Sequence, residues 1–494
     1  MSTLESLPDG LVAVVKRDCP TCALAAPVLG QIAEHIGEGS LTLISQDDPT
    51  FPEGMRVTDD RSLELSYRLG TRTVPTLVRW TDGGVVDRAE GWNRAEWEAL
   101  SGLADLGPGL PSQRPGCGSL STLPGTAERL EATFGNTLGA RRIELGAEED
   151  PIEALFDRGW SDGLPLVPPT PERVLRMLAG SDRPADAVVA EVPPNHTPAT
   201  VEKIAINAVM AGCKPEYLPV VLAAVEAACD EAFGMHGLLA TTLSHGPVII
   251  VNGPVVERLG INSGVNVLGQ GHRANATIGR ALQLVIRNVG GGRPGEIDRA
   301  CFGNPGKLTF CFAENESSSP WESLAVERGF SADTSTVTLF GGEGPRVIVD
   351  QKSRTPESLA NSFAACLRTV CHPKLVVAFD AILVVSPEHA RVFHSAGWTK
   401  ARLRQELLGR LMTPGSDLMP GAQDMAEGMP PAFADQTLPK FRPEGLLIVH
   451  AGGSAGLFSA IIGGWVNRDI GTNPVTVEID TGEIDNRRDC SPAR

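Results

Sequence analysis

Short apolar runs alternate with helical patterns over the first hundred residues of the chain. Uninterrupted apolar runs are typical of buried strands, whereas apolar positions spaced three and four apart are typical of helices. The predicted strands are 10–16, 41–45, 73–80 and 85–91. The predicted helices are 22–36, 60–70 and 93–103. A Thr-Asp-Gly-Gly turn at 81–84 joins the last two strands as a hairpin, so the pattern predicts a βαβ-type domain.

The rest of the chain divides at a change in composition. Residues 106–125 are rich in Gly, Pro and Ser, which is typical of a linker. Beyond it, strands and helices alternate again, including a buried strand at 246–254 and a helix at 274–292 that ends in glycines. We find no fixed-period repeat. The pattern therefore predicts three segments: a domain at 1–104, a linker with a short helix at 105–149, and a mixed α/β unit at 150–494. Whether the last unit has one lobe or two stays open.

Composition and charge narrow the class of protein. The chain has 494 residues, of which 42% are hydrophobic, enough to bury two or three cores. A net charge of -17 argues against nucleic-acid and anionic-membrane partners. The N-terminal MSTLESLPDG has acids where a signal peptide needs positive charge, and no run of about 18 apolar residues follows. We expect a cytoplasmic protein. Its oligomeric state stays open between a monomer and a homodimer.

Two of the ten cysteines, Cys19 and Cys22, stand at the start of the first predicted helix. A helix N-terminus lowers a thiol pKa because it offers unpaired N–H groups and a partial positive charge. A second thiol two residues further along can resolve a mixed disulfide formed by the first. The pair therefore predicts a redox-active disulfide. The alternative is a pair of buried or metal-binding cysteines.

The Cys19-Pro-Thr-Cys22 segment and the later Thr-Val-Pro75-Thr segment occur in the order of the thioredoxin family, which residues 8–104 resemble. The resemblance implies that Cys19 is the attacking thiol and Cys22 the resolving thiol. It also implies that Pro75 is a cis-proline beside the disulfide, where the thiol partner binds, and that the electron donor is of thioredoxin reductase type. Asp18 stands where the family typically has Trp, so the redox potential of the Cys19–Cys22 pair does not follow from the resemblance.

Polar residues of the region beyond 150 concentrate at turns, such as 269–281 (GQGHRANATIGRA) and 312–322 (FAENESSSPWE). These turns resemble those of a poorly characterised bacterial α/β family, and the resemblance implies no mechanism. Guanidinium groups and helix N-termini bind anions, so the turns predict a small anionic substrate. An exposed Arg on a Gly-rich connection is the alternative. The candidate substrate-binding residues are Lys203, Asn207, Asn252, Asn262, Arg273, Asn275, Arg280 and Asn315.

Four residues of the large region are candidates for catalysis. Cys213 precedes Lys214, whose charge favours a thiolate, and it is the preferred reactive thiol. A buried apolar cysteine is the alternative. Glu314 follows a predicted strand and is a candidate acid or base, with an N-cap or turn role as the alternative. His236 or His245 is a candidate general base, and a surface or satisfied core histidine is the alternative.

Two further cysteines are candidate redox shuttles. Cys117 lies in the predicted linker and Cys490 lies near the C-terminus, so either could carry a disulfide to Cys19. The alternative is that both are solvent-exposed cysteines without a role. Outside the redox pair, no His or Cys spacing typical of a metal site occurs, so the sequence requires no metal and no other cofactor.

These features predict a thiol-dependent enzyme that acts on a small anionic substrate by redox or carbon–sulfur chemistry. The tethered thioredoxin-like domain would reset its active-site thiol, since tethering raises the local reductant concentration to roughly millimolar. Two alternatives stay open. One is a metal-dependent or His/Glu-dependent lyase or hydrolase with an accessory thioredoxin-like domain, and the other is a redox-regulated binding or scaffold protein.

Overall fold

The computed structural model describes residues 7–37, 39–135, 138–419, 421, 427–480 and 482. The fold mixes helices and strands, as the sequence predicts. The chain divides into two compact units, Met1–Leu138 and Gly139–Arg494. Among the described helices, none has the length and the apolar character needed to cross a membrane.

The first unit is built on a central sheet. Its strands are β1 (Gly10–Val15), β2 (Leu41–Ser45), β3 (Val57–Asp59), β4 (Thr73–Val74), β5 (Thr76–Thr81), β6 (Gly84–Glu90), β7 (Trp92–Asn93), β8 (Gln113–Arg114) and β9 (Cys117–Gly118). Its helices are α1 (Pro20–Ile36), α2 (Glu64–Arg68), α3 (Arg94–Ser101) and α4 (Thr126–Phe134). The sheet order is β3-β2-β1-β5-β6, with β1, β2 and β3 parallel and with β5 antiparallel to both of its neighbours.

Helix α1 packs on this sheet through an apolar stripe. Ala25, Val28, Leu29 and Ile32 recur at helical spacing and are buried in the core of the unit. The elements otherwise follow the predicted order with two differences. The helix predicted at 60–70 is confined to α2, and the strand predicted at 73–80 is divided between β4 and β5 by Pro75, which has no N–H to donate to a sheet.

The segment predicted as a linker is instead part of the first unit. Strand β8 pairs with β7, and β9 pairs with β4. Leu106 is buried in the unit's core, and the Trp92 indole N–H donates to the carbonyl of Pro111 at 2.7 Å. The boundary between units consequently falls after Leu138. A Gly-rich and Pro-rich composition does not distinguish a linker from a chain that makes tight turns against a domain.

The second unit contains a larger sheet and most of the helices. Its strands are β10 (Val188–Val192), β11 (Thr197–Thr200), β12 (Gly246–Asn252), β13 (Cys311–Ala313), β14 (Thr336–Gly342), β15 (Arg346–Val349), β16 (Phe379–Val385), β17 (Met412–Pro414), β18 (Thr437–Pro439), β19 (Leu446–His450), β20 (Phe458–Val466) and β21 (Val475–Glu478). Its helices are α5 (Pro151–Asp157), α6 (Pro171–Leu178), α7 (Val201–Ala211), α8 (Leu218–Cys229), α9 (Met235–Ala240), α10 (Val255–Leu259), α11 (Arg273–Asn288), α12 (Leu324–Glu327), α13 (Pro356–Leu367), α14 (Pro387–Ser395), α15 (Lys400–Arg410) and α16 (Gly415–Leu418).

The large sheet consists of two halves with the same topology. Strand β12 lies between a parallel partner, β13, and an antiparallel partner, β14. Strand β16 lies in the same way between the parallel β19 and the antiparallel β20. The halves exchange their next strands, because β15 pairs with β20 and β21 pairs with β14. The second unit therefore contains an internal structural duplication.

Short sequence matches accompany the duplication. The segment PEYL at 215–218 ends on the first residue of α8 and PESL at 356–359 begins α13, while LFGG at 339–342 ends β14 and IIGG at 461–464 lies in β20. Gly342 and Gly464 pair directly where the halves meet. The sequence showed no fixed period because the insertions between equivalent elements differ in length.

Both halves contribute apolar side chains to one core. Because the strand interiors form that core, the polar residues lie at the strand ends. Val248, Phe312 and Phe340 from the first half pack with Val384 and Ile462 from the second half. At the carboxyl ends of β13 and β19, the Asn315 N–H donates to the carbonyl of His450 at 2.7 Å. The last residues of these two strands are consequently neighbours.

Candidate functional site

Cys19 occupies the N-cap of α1. Its backbone is extended, Pro20 is the first helical residue, and the side chain is 2% exposed. The N–H of Cys22 points at the Cys19 sulfur with an N–S distance of 3.4 Å. The first turn of α1 thus directs a backbone donor and the positive end of the helix at this sulfur, as the sequence predicts.

Pro75 lies on the other side of the sulfur. The Val74–Pro75 peptide bond is cis, as the resemblance implies. The Val74 carbonyl oxygen is 3.5 Å from the Cys19 sulfur, and Val74 is fully buried. Cys19, Cys22 and the cis Val74–Pro75 peptide therefore lie together in the structure.

A third cysteine belongs to this site. Cys117 lies opposite Val74 in the antiparallel β4–β9 pair, and the Cys19 and Cys117 thiols are close enough for each to shift the pKa of the other. The expectation that Cys117 lies in a linker is wrong, because β9 holds its backbone against β4. Cys490, the other predicted shuttle, lies outside the described residues.

The three thiols differ in acidity. Burial raises the pKa of Cys19, but the hydrogen bonds from Cys117 and from the Cys22 N–H outweigh burial, so the net pKa is lowered. Burial raises the pKa of Cys22 far above its ordinary value. The hydrogen bond to Cys19, followed by burial, raises the pKa of Cys117. Cys19 is consequently the thiol of the three that ionises first, and a thiolate is the nucleophile in disulfide exchange.

The described cysteines of the second unit differ in exposure: Cys213 and Cys311 are buried, and Cys229, Cys366 and Cys371 are half-buried. Burial raises the pKa of Cys213 to about 12, and its sulfur donates to the carbonyl of Thr277 at 3.3 Å. Burial likewise raises the pKa of Cys229 and of Cys371 to about 12. Cys213 thus fits the alternative of a buried cysteine rather than the preferred reactive thiol. Cys301 is exposed.

Most of the predicted anion-binding side chains bond to the protein itself. Arg280 donates two hydrogen bonds to the Asp162 carboxylate, from Nε to Oδ2 and from Nη2 to Oδ1, both at 2.8 Å. Asn275 donates to the carbonyl of Asn262 and accepts from its N–H, so it fixes that turn. Arg273 is exposed, although its Nε donates to the carbonyl of Gly212 at 3.0 Å.

The two predicted binding residues of α7 also have local roles. The Lys203 ammonium donates to the carbonyl of Pro198 at 2.8 Å. Asn207 donates to the carbonyl of Lys203 and accepts from Asn288 of α11, so it joins two packed helices. Neither side chain is grouped with Asn252 or Asn315 in the described contacts.

Asn252 and Glu314, by contrast, meet at neighbouring strand ends. Glu314 directly follows β13 and is 1% exposed. Its Oε2 accepts from Asn252 Nδ2 at 2.8 Å and from the Leu324 N–H at 2.7 Å, while Oε1 accepts from the His450 N–H at 3.3 Å. Burial raises the pKa of Glu314, against the opposing effects of the Lys400 ammonium and these donors.

Lys400 is the buried cation of this group. It begins α15, is 3% exposed, and its Nζ lies 3.7 Å from Glu314 Oε1 and 2.9 Å from Glu327 Oε2. The sequence pattern did not predict this residue. A signal was available, since Lys400 shares one helix face with the buried Leu403 and Leu407, and a buried lysine needs a charged partner.

Three buried polar atoms around Glu314 have no described hydrogen-bond partner: Asn252 Oδ1, Thr336 Oγ1 and His450 Nε2. Thr336 lies directly opposite Asn252 in the β12–β14 register. His450 Nδ1 is 3.0 Å from the carbonyl oxygen of Asn315, which only accepts, so Nδ1 carries the hydrogen. Burial lowers the pKa of His450, so the ring is neutral and Nε2 presents a lone pair.

The structure does not group the other predicted base with this cluster. His236 is exposed on α9, and the described contacts do not join it to Glu314. His450 was missed because it ends an apolar strand and has no motif around it. In the described part of the chain, no three His, Cys, Asp or Glu side chains are arranged to hold a metal ion.

Comparisons with protein-family models, with curated proteins and with solved structures find no match to this chain. Function is therefore inferred from the chemistry of its own residues.

Proposed function

We propose that this chain is a thiol–disulfide oxidoreductase of thioredoxin type whose attacking group is the Cys19 thiolate. One observation carries the proposal. The Cys19 sulfur lies at the N-cap of α1, accepts the Cys22 N–H, adjoins the cis Val74–Pro75 peptide and has the Cys117 thiol as a neighbour. These contacts lower its pKa although the side chain is buried, which is the condition for a reactive thiol.

The reaction consists of two exchanges at sulfur. The Cys19 thiolate attacks one sulfur of a substrate disulfide, so a mixed disulfide forms and the other substrate sulfur leaves as a thiolate. Cys22 then loses its proton and attacks the Cys19 sulfur, which releases the second substrate thiolate. Two electrons pass from the two protein thiols to the substrate, and the protein is left with a Cys19–Cys22 disulfide that an external dithiol reductant returns to thiols.

The second unit supplies the substrate chemistry in this proposal. Both units belong to one chain, and a tethered reductant acts at roughly millimolar effective concentration. Its substrate is a small anion, for which Arg273 is the exposed guanidinium at the start of α11. Among the described cysteines of this unit, Cys301 is exposed, whereas Cys213 is buried.

Reduction of insulin by dithiothreitol tests the oxidoreductase. The full chain should accelerate it, the Cys19→Ser variant should not, and the Cys22→Ser/Cys117→Ser variant, which lacks both thiols near Cys19, should accumulate a mixed disulfide at Cys19. Cys301→Ser is the matched control and should keep the insulin activity. Equal rates for the wild type and Cys19→Ser would exclude the proposal and favour the scaffold alternative.

A second candidate function belongs to the Glu314 group. The His450 Nε2 lone pair is buried without a described partner beside an ion pair of Glu314 and Lys400, which is the arrangement of a general base in a low-dielectric site. We infer that this group serves a His/Glu-dependent lyase or hydrolase reaction in which His450 accepts the proton. The reaction would proceed without the thiols.

Nitrogen-15 NMR of the histidine-labelled chain tests the state of His450, with His450→Gln to assign its signals. The contacts predict a neutral ring with hydrogen on Nδ1 at neutral pH, because Nδ1 donates to Asn315 and burial opposes the charge. An imidazolium, or hydrogen on Nε2, would remove the proton acceptor and with it this second candidate.

A further inference from the structure

Strand β9 occupies the place that the thioredoxin resemblance gives to the thiol partner. It pairs antiparallel with β4, so that Thr73 faces Gly118 and Val74 faces Cys117. Val74 precedes the cis-proline, and its carbonyl oxygen is 3.5 Å from the Cys19 sulfur. Cys117 is thereby presented to Cys19 by a backbone pairing, as an extended substrate would be.

The residues around Cys117 are fixed on both sides. Before it, the Thr21 hydroxyl donates to the carbonyl of Pro115 at 2.8 Å. After it, the Lys16 ammonium donates to the carbonyl of Gly118 at 2.9 Å. Position 116 requires glycine, since a Cβ at Gly116 would lie 2.6 Å from the Val74 carbonyl oxygen.

The chain beyond Cys117 is anchored in the interior of the first unit. Ser119 is fully buried, its N–H donates to the carbonyl of Arg72 at 2.9 Å, and its hydroxyl accepts from Gln46 Nε2 at 2.6 Å. The Leu120 N–H donates to Gln46 Oε1 at 3.0 Å. Anchoring on both sides of Cys117 holds its sulfur near Cys19 without a covalent bond.

Exposure distinguishes the two neighbours of Cys19. Cys22 is fully buried, whereas Cys117 is half-buried. The hydrogen bond to Cys19 and burial raise the pKa of Cys117, and the Lys16 ammonium offsets only part of this rise. A thiol or disulfide from outside the unit meets Cys117 at the surface more readily than it meets Cys22.

We propose that Cys117 is a third redox thiol that exchanges with Cys19 within the same chain; the proposal rests on the oxidoreductase function above. Cys117 loses its proton and its thiolate attacks the Cys19 sulfur of the Cys19–Cys22 disulfide. The Cys19–Cys117 bond forms as the Cys19–Cys22 bond breaks, and Cys22 leaves as a thiolate that takes up a proton. The exchange involves no net oxidation, and it moves the disulfide from the buried pair to a half-buried position.

The Cys22→Ser chain, oxidised with glutathione disulfide, tests this exchange by peptide mapping without reduction. Cys19 attacks glutathione disulfide and releases one glutathione, and Cys117 then attacks the Cys19 sulfur and releases the second. The expected product is a Cys19–Cys117 disulfide, formed at least ~10-fold faster in the native chain than in guanidinium because the folded chain pre-positions the thiols. Cys22→Ser/Cys117→Ser should instead retain glutathione on Cys19.

Cys22→Ser/Cys301→Ser is the matched control and should form the same Cys19–Cys117 disulfide as Cys22→Ser. Glutathione that stays on Cys19 in the Cys22→Ser chain would overturn the role of Cys117, as would equal rates in the native and unfolded chains. Insulin reduction by the wild-type chain distinguishes failure of the Cys117 proposal from failure of the oxidoreductase proposal. If the wild type still reduces insulin, the function of Cys19 and Cys22 stands without Cys117, and if it does not, the oxidoreductase itself fails.

Discussion

At the level of single residues, the pKa of each cysteine follows from the position of its sulfur. Burial alone would raise the pKa of Cys19, and only directed hydrogen bonds lower it, whereas Cys213 has burial without comparable donors. The motif spacing predicted Cys19 and Cys22 because their contacts are local. The strand pairing of Cys117 and the ion pair of Lys400 depend on residues far away in the sequence, and local patterns carry no information about such partners.

Gly116 offers a residue-level test of how Cys117 is held. In Gly116→Ala the new Cβ would press on the Val74 carbonyl oxygen and displace β9, so the hydrogen bond from Cys117 to Cys19 should be lost. We expect the pKa of Cys19 to rise and the Cys19–Cys117 disulfide to form more slowly in the Cys22→Ser background, as measured by alkylation and peptide mapping. Gly109→Ala, which meets no neighbouring atom, is the control. An unchanged pKa would show that β9 does not acidify Cys19.

Lys400 offers a residue-level test of the buried ion pair. Lys400→Met leaves the Glu314 carboxylate buried without its cation, so we expect the free energy of unfolding of the second unit to fall by about 3–5 kcal/mol. Denaturant unfolding measures this change. Lys352→Met, at an exposed position of the same unit, should change the free energy by less than about 0.5 kcal/mol. Equal effects of the two substitutions would mean that Lys400 does not stabilise Glu314.

At the level of elements, apolar runs identified the strands that are buried, including β1, β2 and β12, because burial on both faces leaves a continuous apolar run. Strand β9 was not predicted, since it has two residues and no apolar pattern. The exchange of β15 and β21 between the halves of the second unit was also missed. Pairing partners depend on tertiary topology rather than on the pattern within a strand.

The exchanged strand β15 provides the test at this level. Ile348 is 1% exposed and packs in the core of the half to which β15 is donated. Ile348→Ala should lower the free energy of unfolding by about 2–5 kcal/mol, since it leaves a cavity in a packed core. Val347→Ala, at the neighbouring exposed position, should change it by less than about 0.5 kcal/mol. Similar small effects in denaturant unfolding would contradict the exchange.

At the level of the whole molecule, composition and alternating patterns correctly predicted a mixed α/β chain with a small first domain. The boundary was misplaced because residues 105–138 have the composition of a linker and yet carry β9 and α4. The internal duplication was missed because unequal insertions remove any constant period. The sequence thus identified where the redox motif lies and named Cys117 and Glu314 as candidates, and the structure adds the pairing that holds Cys117 and the Lys400 and His450 neighbours of Glu314.

Separation of the two units tests the boundary. The described residues that contact the Cys19 sulfur all belong to Met1–Leu138, so a fragment of residues 1–138 should fold by itself and keep the Cys19 pKa of the full chain. Circular dichroism and alkylation of Cys19 measure the two properties. A fragment of residues 1–104, which lacks β9 and α4, is the comparison and should show a higher Cys19 pKa. The same pKa in both fragments would place the boundary at the predicted linker.

The reactivity of Cys19 across pH decides whether its sulfur is an activated thiolate. Alkylation of the reduced full chain by iodoacetamide, resolved for each cysteine by mass spectrometry, reports the thiolate fraction at each position. A lowered pKa means that the rate at Cys19 rises at a lower pH than for an ordinary thiol, whose pKa is about 8.5, and that Cys19 is the first cysteine of the chain to react at neutral pH. If the alkylation rate at Cys19 has its pH midpoint at or above the ordinary thiol pKa, or if Cys301 reacts faster than Cys19, then Cys19 is not the activated thiol.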